Sequence, residues 1–269
     1  MKLPYCLICI LFAMSSSLQA AQFYVDSLDG NDTNDGTCPD FAWSSLEKVS
    51  QTAFKPGDVI HLRSGRTFSG QLVIRSSGTE GNPIRVTRYD SGDRPHLKGE
   101  GKVNPVVLLE NVSHVTVQGI EVSNTGPEPM AKRRGVLVRL TDMGVARSII
   151  LRDLFVRDVN GVISKKEGGG TGIRWEVTSR KKKTRIDGLL IENCHVLRCD
   201  RDGIKGWMEP WDDMSFLSTN VVIRNNLLED IGGDGVGPLR AGRGDGGDKT
   251  PYRAAPRFCT AREGGSPKP

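Results

Sequence analysis

One short pattern recurs along the chain and leaves few folds open. Val117-Gln-Gly-Ile-Glu-Val, Leu151-Arg-Asp-Leu-Phe-Val, Ile191-Glu-Asn-Cys-His-Val and Ile223-Arg-Asn-Asn-Leu-Leu align at intervals of roughly 30–40 residues, inside the range that marks solenoids and repeat arrays. Each block is expected to open one turn of such a solenoid. Downstream of three blocks, Asn160-Gly-Val, Asp202-Gly-Ile and Asp234-Gly-Val recur at a nearly constant interval and read as one shared turn position. A strand cannot bury its apolar side alone, so stacked turns must share one continuous core. The interval leaves room for loops, the longest being 124–134, 164–171, 179–185 and 207–219. Insertions of this kind tend to gather on one flank and wall a groove in which an extended polymer would lie. Asn193 and Asn225 align and are expected to stack as an amide ladder inside the coil.

Before the repeats, Phe23-Tyr-Val-Asp reads as a strand, Gly30 to Gly36 as an acidic turn-rich loop, and Trp43-Ser-Ser-Leu-Glu-Lys-Val as a short amphipathic helix, which together predict a cap over residues 21–54. Lys55-Pro-Gly-Asp-Val-Ile-His-Leu and Gly70-Gln-Leu-Val-Ile-Arg-Ser read as strands bounded by turns, and Ile84 and Val86 alternate with Arg85 and Thr87 as in a half-buried strand. The stretch from Tyr24 to Gly99 resembles the N-terminal region of secreted parallel β-helix proteins, including polysaccharide lyases of the pectate-lyase-like kind. The resemblance is carried by Tyr24-Val25, Gly30-Asn31-Asp32, Asp35-Gly36-Thr37, Pro56-Gly57-Asp58 and Ser77-Gly-Thr-Glu-Gly-Asn-Pro-Ile84. It implies an all-β chain folded as a right-handed parallel β-helix, expected over residues 55–238.

The two ends differ in character. Lys2, the apolar stretch Leu3–Met14, and Leu18 and Ala20 ahead of a cleavage point predict a signal peptide over 1–20 and a secreted, periplasmic or cell-surface monomer. No later segment is long and apolar enough to span a bilayer. Between Arg240 and Pro269 there is no Val, Ile, Leu or Met, so residues 239–269 are expected to be a disordered or aberrant tail, such as an out-of-frame reading. Of six cysteines, Cys6 and Cys9 fall in the leader, and Cys194 and Cys199 are expected to pack as small hydrophobes. The net charge of +5 comes with scattered cations apart from Lys132-Arg133-Arg134 and Arg180–Lys183, expected to be solvated, and no nucleic-acid-binding motif accompanies them. His61, His96, His114 and His195 show no triad context and read as structural or exposed.

Candidate chemistry concentrates in Arg201-Asp-Gly-Ile-Lys-Gly-Trp-Met-Glu-Pro-Trp-Asp-Asp. Asp202 and Asp234 would sit on adjacent coils about 4.8 Å apart, where two carboxylates repel and need a cation. Calcium is the expected cofactor, bound by Asp202, Asp234, Asp212 and Asp213, although Asp-Gly pairs also simply make turns. Arg201, Trp207 and Trp211 are expected to bind a polysaccharide substrate, acidic ones included, through charge and ring stacking. The resemblance to calcium-dependent lyases implies β-elimination from a uronate with Lys205 as the base. A second reading is a glycoside hydrolase whose paired carboxylates come from Asp212, Asp213 and Asp234. A third is a non-catalytic binding module.

Overall fold

The computed structural model describes residues 20–164, 166–210, 213 and 217–237. The segments expected from sequence to be a leader and a tail lie, at 1–19 and 238–269, outside the described residues. The chain is a right-handed parallel β-helix of three sheets. Sheet A has seven strands, Gln22–Val25, Val59–Arg63, Ile84–Tyr89, Val115–Gln118, Val145–Arg152, Arg185–Glu192 and Thr219–Arg224. Sheet B has six, Thr67–Ser69, His96–Lys98, Glu121–Asn124, Phe155–Val159, His195–Cys199 and Leu227–Ile231. Sheet C also has six, Leu72–Ile74, Val107–Glu110, Arg134–Thr141, Thr171–Thr178, Asp202–Glu209 and Val236–Gly237. From Val59 onward the chain visits A, B and C in turn, and every strand pairs in parallel with its equivalent one coil away.

Because the register is kept from coil to coil, apart from a shift between Arg157 and Val159 in sheet B, like residues stack in columns. Ile60, Val86, Val117, Leu151, Ile191 and Ile223 form one inward column of sheet A. Phe68, Leu97, Val122, Val156, Val196 and Leu228 form its counterpart in sheet B. In sheet C the column Leu109, Val138, Trp175, Gly206 gives the fully buried indole of Trp175 a glycine neighbour in place of a further side chain. These columns supply the hydrophobic core, which runs unbroken from Val25 to Leu228.

The corner from sheet A to sheet B explains the repeat that opens each turn. Two residues make it in each of the last four coils, and the first of them, Gly119, Asp153, Asn193 and Asn225, has φ between 51° and 70°. That left-handed conformation is tolerated best by Gly, Asn and Asp, which are the residue types found there. Asn193 and Asn225 are therefore exposed corner residues and do not form the expected internal ladder. The buried amide is Asn226, which donates to Ile191 O at 3.0 Å and accepts from Cys194 N at 2.9 Å.

The entrance to sheet C holds a second ladder. Gly135, Gly172 and Gly203 lie where a β-carbon would run into the next coil: 2.7 Å from Gly172 O, 2.9 Å from Gly203 O and 2.5 Å from Gly235 O respectively. The equivalent triplets are thus Arg134-Gly-Val, Thr171-Gly-Ile, Asp202-Gly-Ile and Asp234-Gly-Val. Asn160-Gly-Val is not one of them; it belongs to the loop before sheet C, where Gly161 packs against Gly170.

At the N-terminal end the helix Leu46–Gln51 is capped by Ser45 Oγ, which accepts from Lys48 N, and buries Leu46 and Val49. Ser50 Oγ accepts from Val73 N at 2.9 Å, so the helix covers an edge strand of sheet C that would otherwise present free backbone groups. The strand Gln22–Val25 pairs with Val59–Arg63 and is part of sheet A, so the first coil begins within the segment read from sequence as a cap.

The long connections do not gather on one flank. Residues 125–133 and the described part of 160–170 lie at the corner from B to C, and 179–184, Pro210, Asp213, Leu217 and Ser218 at the corner from C to A. These connections flank the two ends of the sheet C strands.

Candidate functional site

On the outer face of sheet C, side-chain character changes along the helix axis. One outward column reads Val73, Leu108, Leu137, Arg174, Lys205, Gly237: its first three members form a small apolar cluster and the next two are cationic. The adjacent column reads Glu110, Arg139, Glu176, Trp207. At the strand entrances, beside the glycine ladder, stand Arg134, Thr171, Asp202 and Asp234. Three columns of one sheet thus bring cations, carboxylates and an indole to one patch.

Lys205 lies at the centre. Its Nζ donates to Asp202 Oδ1 at 3.2 Å and to Asp234 Oδ2 at 2.8 Å. Two oxygens so close to one nitrogen are at most about 6 Å from each other. The Lys205 stem crosses the place where a side chain at position 237 would stand, since a β-carbon there would come within 2.3 Å of Lys205 Cδ. Arg201 reinforces the pair, its Nε 3.8 Å from Asp202 and its Nη2 4.0 Å from Asp234. It is held between Gly169 and Gly233, where any β-carbon would strike it. Its Nε and the Oγ1 of fully buried Thr171 have no hydrogen-bond partner, and buried polar atoms of that kind are expected where a ligand or water completes the set.

A second charged set adjoins the first. Arg134 is only 4% exposed and donates to Gly169 O at 2.7 Å, with Glu176 3.9 Å away. Burial, with help from neighbouring Arg174, pulls its guanidinium down to about 10 against the opposing effects of Glu176 and Asp202, so it is still a cation at neutral pH. Arg174 Nε donates to Glu176 at 2.6 Å. Beside them Trp207 is 45% exposed, an indole open to the groove.

Set against the sequence, Arg201, Asp202, Lys205, Trp207 and Asp234 do converge. Trp211 and Asp212 lie outside the described residues, and Asp213 is exposed. Of the calcium ligands expected at Asp202, Asp234, Asp212 and Asp213, the first two accept from Lys205 and Asp212 lies outside the described residues. The ammonium of Lys205 already bonds both described carboxylates of the pair, and among the described residues no three His, Cys, Asp or Glu side chains converge. Lys205, expected from sequence as the base, lies between these two carboxylates.

Arg134, Thr171, Arg174 and Glu176 escaped the sequence reading. Arg133 and Arg134 belong to a basic run that normally signals solvent, yet both are buried, Arg133 donating to Glu128 O and Asn160 O at 3.0 and 2.9 Å. The signal that would have found them is the glycine ladder read in correct register. On sheet B, Ser123 Oγ lies 2.8 Å from His96 Nε2, but Glu121 approaches that same nitrogen, at 3.5 Å. The imidazole is therefore not oriented as a triad requires, by a carboxylate on its other nitrogen.

No family model matches the chain. It is 26% identical to a lacto-N-biosidase of Bifidobacterium longum subsp. longum over an alignment of 295 positions, covering 80% of this chain and 18% of that protein. It is 23% identical to the uncharacterized protein YwoF of Bacillus subtilis, covering 78% and 43% of the two chains. The crystal structure of the GH136 lacto-N-biosidase from Eubacterium ramulus superposes with a TM-score of 0.70 at 25% identity, over 80% of this chain and 43% of that one. A rhamnogalacturonan lyase superposes with a TM-score of 0.51 at 16% identity and shares the fold. The chain thus spans less than half the length of the lacto-N-biosidases it matches.

Proposed function

We propose that this chain is a carbohydrate-active β-helix of the glycoside hydrolase kind, with Asp202 and Asp234 as its reactive carboxylates on the open face of sheet C. The observation that carries the reading is the separation of that pair, at most about 6 Å between the oxygens that Lys205 bridges. Retaining glycosidases hold their two carboxyl groups about 5–5.5 Å apart, and inverting ones leave room for a water at about 6.5–9.5 Å. Asp202, buried and flanked by Lys205 and Arg201, is the nucleophile: its carboxylate bonds to the anomeric carbon as the glycosidic C–O bond breaks. Asp234, whose side chain is 42% exposed, gives a proton to the departing oxygen, then takes one from the water that releases the sugar from Asp202. Trp207 offers its face to a sugar ring, and Arg174 and Arg134 lie along the groove for substrate hydroxyls. The likeness to lacto-N-biosidases supports this chemistry over β-elimination. Export through the leader ending at Ala20 is part of the proposal; the secreted protein would begin at Ala21.

The test is turnover of p-nitrophenyl lacto-N-bioside and a panel of neutral aryl glycosides, with polygalacturonate run beside them for the ultraviolet absorbance of a new C=C bond. Release of nitrophenol that falls about 10²–10⁴-fold in Asp202→Asn and in Asp234→Asn supports the reading. Absorbance gain on polygalacturonate without nitrophenol release would restore the lyase.

A further inference from the structure

Two carboxylates brought together from adjacent coils repel and call for a cation, such as a divalent ion, between them, and here that space holds a lysine. We propose that Lys205 is a tethered counter-cation that stands in for such an ion, so that the site works without metal and gains affinity for divalent or trivalent cations once the ammonium is removed. The proposal deepens the glycosidase reading and rests on it only for the turnover measurement below.

Geometry carries the argument. Nζ is bonded to one oxygen from each of two coils, the bridging position an ion would take. The route of the stem is built into the sequence: the residue stacked beside Lys205 on the next coil is Gly237, and any β-carbon there would lie 2.3 Å from Cδ and 2.7 Å from Nζ. A hard cation takes 6–8 oxygen ligands, whereas the remaining neighbours here are largely cationic: Arg201 at 3.8 and 4.0 Å from the carboxylates, with Arg174 stacked on Lys205 from the preceding coil. One polar oxygen is left over, Thr171 Oγ1, buried, without a partner and on the strand stacked against Asp202. With the ammonium gone it joins the two carboxylates and water as a donor. Lys205 acts on the reaction through the two carboxylates and is in that sense a positioning residue.

The experiment is terbium luminescence excited through Trp207, which lies two residues beyond Lys205 on the same strand. Wild-type protein and Lys205→Arg are expected to give no saturable signal. Lys205→Ser should give one at least ten-fold stronger, competed by calcium and lost in Lys205→Ser/Asp202→Asn/Asp234→Asn. Should Lys205→Ser lose its β-sheet circular dichroism, Lys205→Gln keeps the stem without the charge and takes its place. In parallel, wild-type turnover should change less than two-fold after exhaustive chelation. A wild-type terbium signal that Asp202→Asn/Asp234→Asn removes, a neutral variant no brighter than wild type, or a ten-fold loss of turnover on chelation would each overturn the proposal. If no glycoside is turned over, the glycosidase reading fails while the terbium result still decides this one.

Discussion

Replacing Gly172 by alanine tests the coil-to-coil register most directly. Gly172 does not have the positive φ of a glycine-only turn, so the cost of a methyl group there is steric. The new carbon would lie 2.6 Å from Val196 Cγ1, 2.9 Å from Gly203 O and 3.1 Å from Cys199 Sγ, where carbon contacts settle at about 3.5–4.0 Å. The valine can adjust its rotamer. The carbonyl cannot retreat easily, because it sits in the parallel ladder between strands Thr171–Thr178 and Asp202–Glu209. Overpacking of this sort costs about 1–3 kcal/mol. Taking about 2 kcal/mol, and about 2–4 °C per kcal/mol for a domain of this size, Tm should fall by about 4–8 °C. Thermal circular dichroism measures it, and guanidinium unfolding should show the midpoint moving with the slope unchanged. Gly235→Ala is the matched control, since among the described residues its β-carbon would meet only Leu228 Cδ2, at 3.9 Å. A Gly172→Ala melt within about 1 °C of wild type, or an equal loss in Gly235→Ala, would refute the register argument.

Three further outcomes follow from the described contacts. Trp207→Ala should raise KM for a glycoside several-fold with a smaller effect on kcat, and a pure kcat loss would remove the indole from the binding surface. At the N-terminal end, burial disfavours ionised Asp26, but hydrogen bonds from Arg63, the Leu28 backbone and Arg66 outweigh it and hold the carboxyl below its ordinary range. A carboxyl depressed in the folded state stabilises above its unfolded value of about 3.9 and loses that contribution as pH falls through the folded value, so Tm should drop in that acid window and Asp26→Asn should flatten the dependence. Burial raises the thiols of Cys194 and Cys199 to about 12, so iodoacetamide should leave both unmodified in the folded protein and label both in urea, as read by peptide mass spectrometry.

Much of the fold was legible because a solenoid writes its geometry into the sequence once per coil. The alternation around Val117, Leu151, Ile191 and Ile223 marked one inward column correctly. What the alignment of Asn193 with Asn225 meant was harder to see. Asparagine suits both a buried amide ladder and a left-handed corner, and only the backbone conformation separates them. Asn160-Gly-Val was misplaced for a similar reason: it copies the composition of a sheet C entrance but stands a loop ahead of the true one, Thr171-Gly-Ile. That slip hid Arg134 and Thr171, which share the entrance column with Asp202. Arg201, Asp202, Lys205 and Trp207 stood out as candidates because they cluster in sequence. Whether a lysine beside two aspartates is their base or their counter-ion depends on distances that spacing does not encode.

The corners of the coil are unequal, and the inequality has a consequence for how such a chain can change. In the last four coils the A-to-B corner is always two residues long and carries a left-handed residue, while the corners on either side of sheet C vary freely in length. The constant corner behaves as the spine of a bound volume and sheet C as its open edge. Loops bordering the groove can be lengthened, shortened or exchanged without resetting the stacking, so new specificities can arise at the open edge while the spine preserves the fold. The same asymmetry tells an engineer where to graft: at 125–133, 160–170 or 179–184, and never between Leu151 and Phe155.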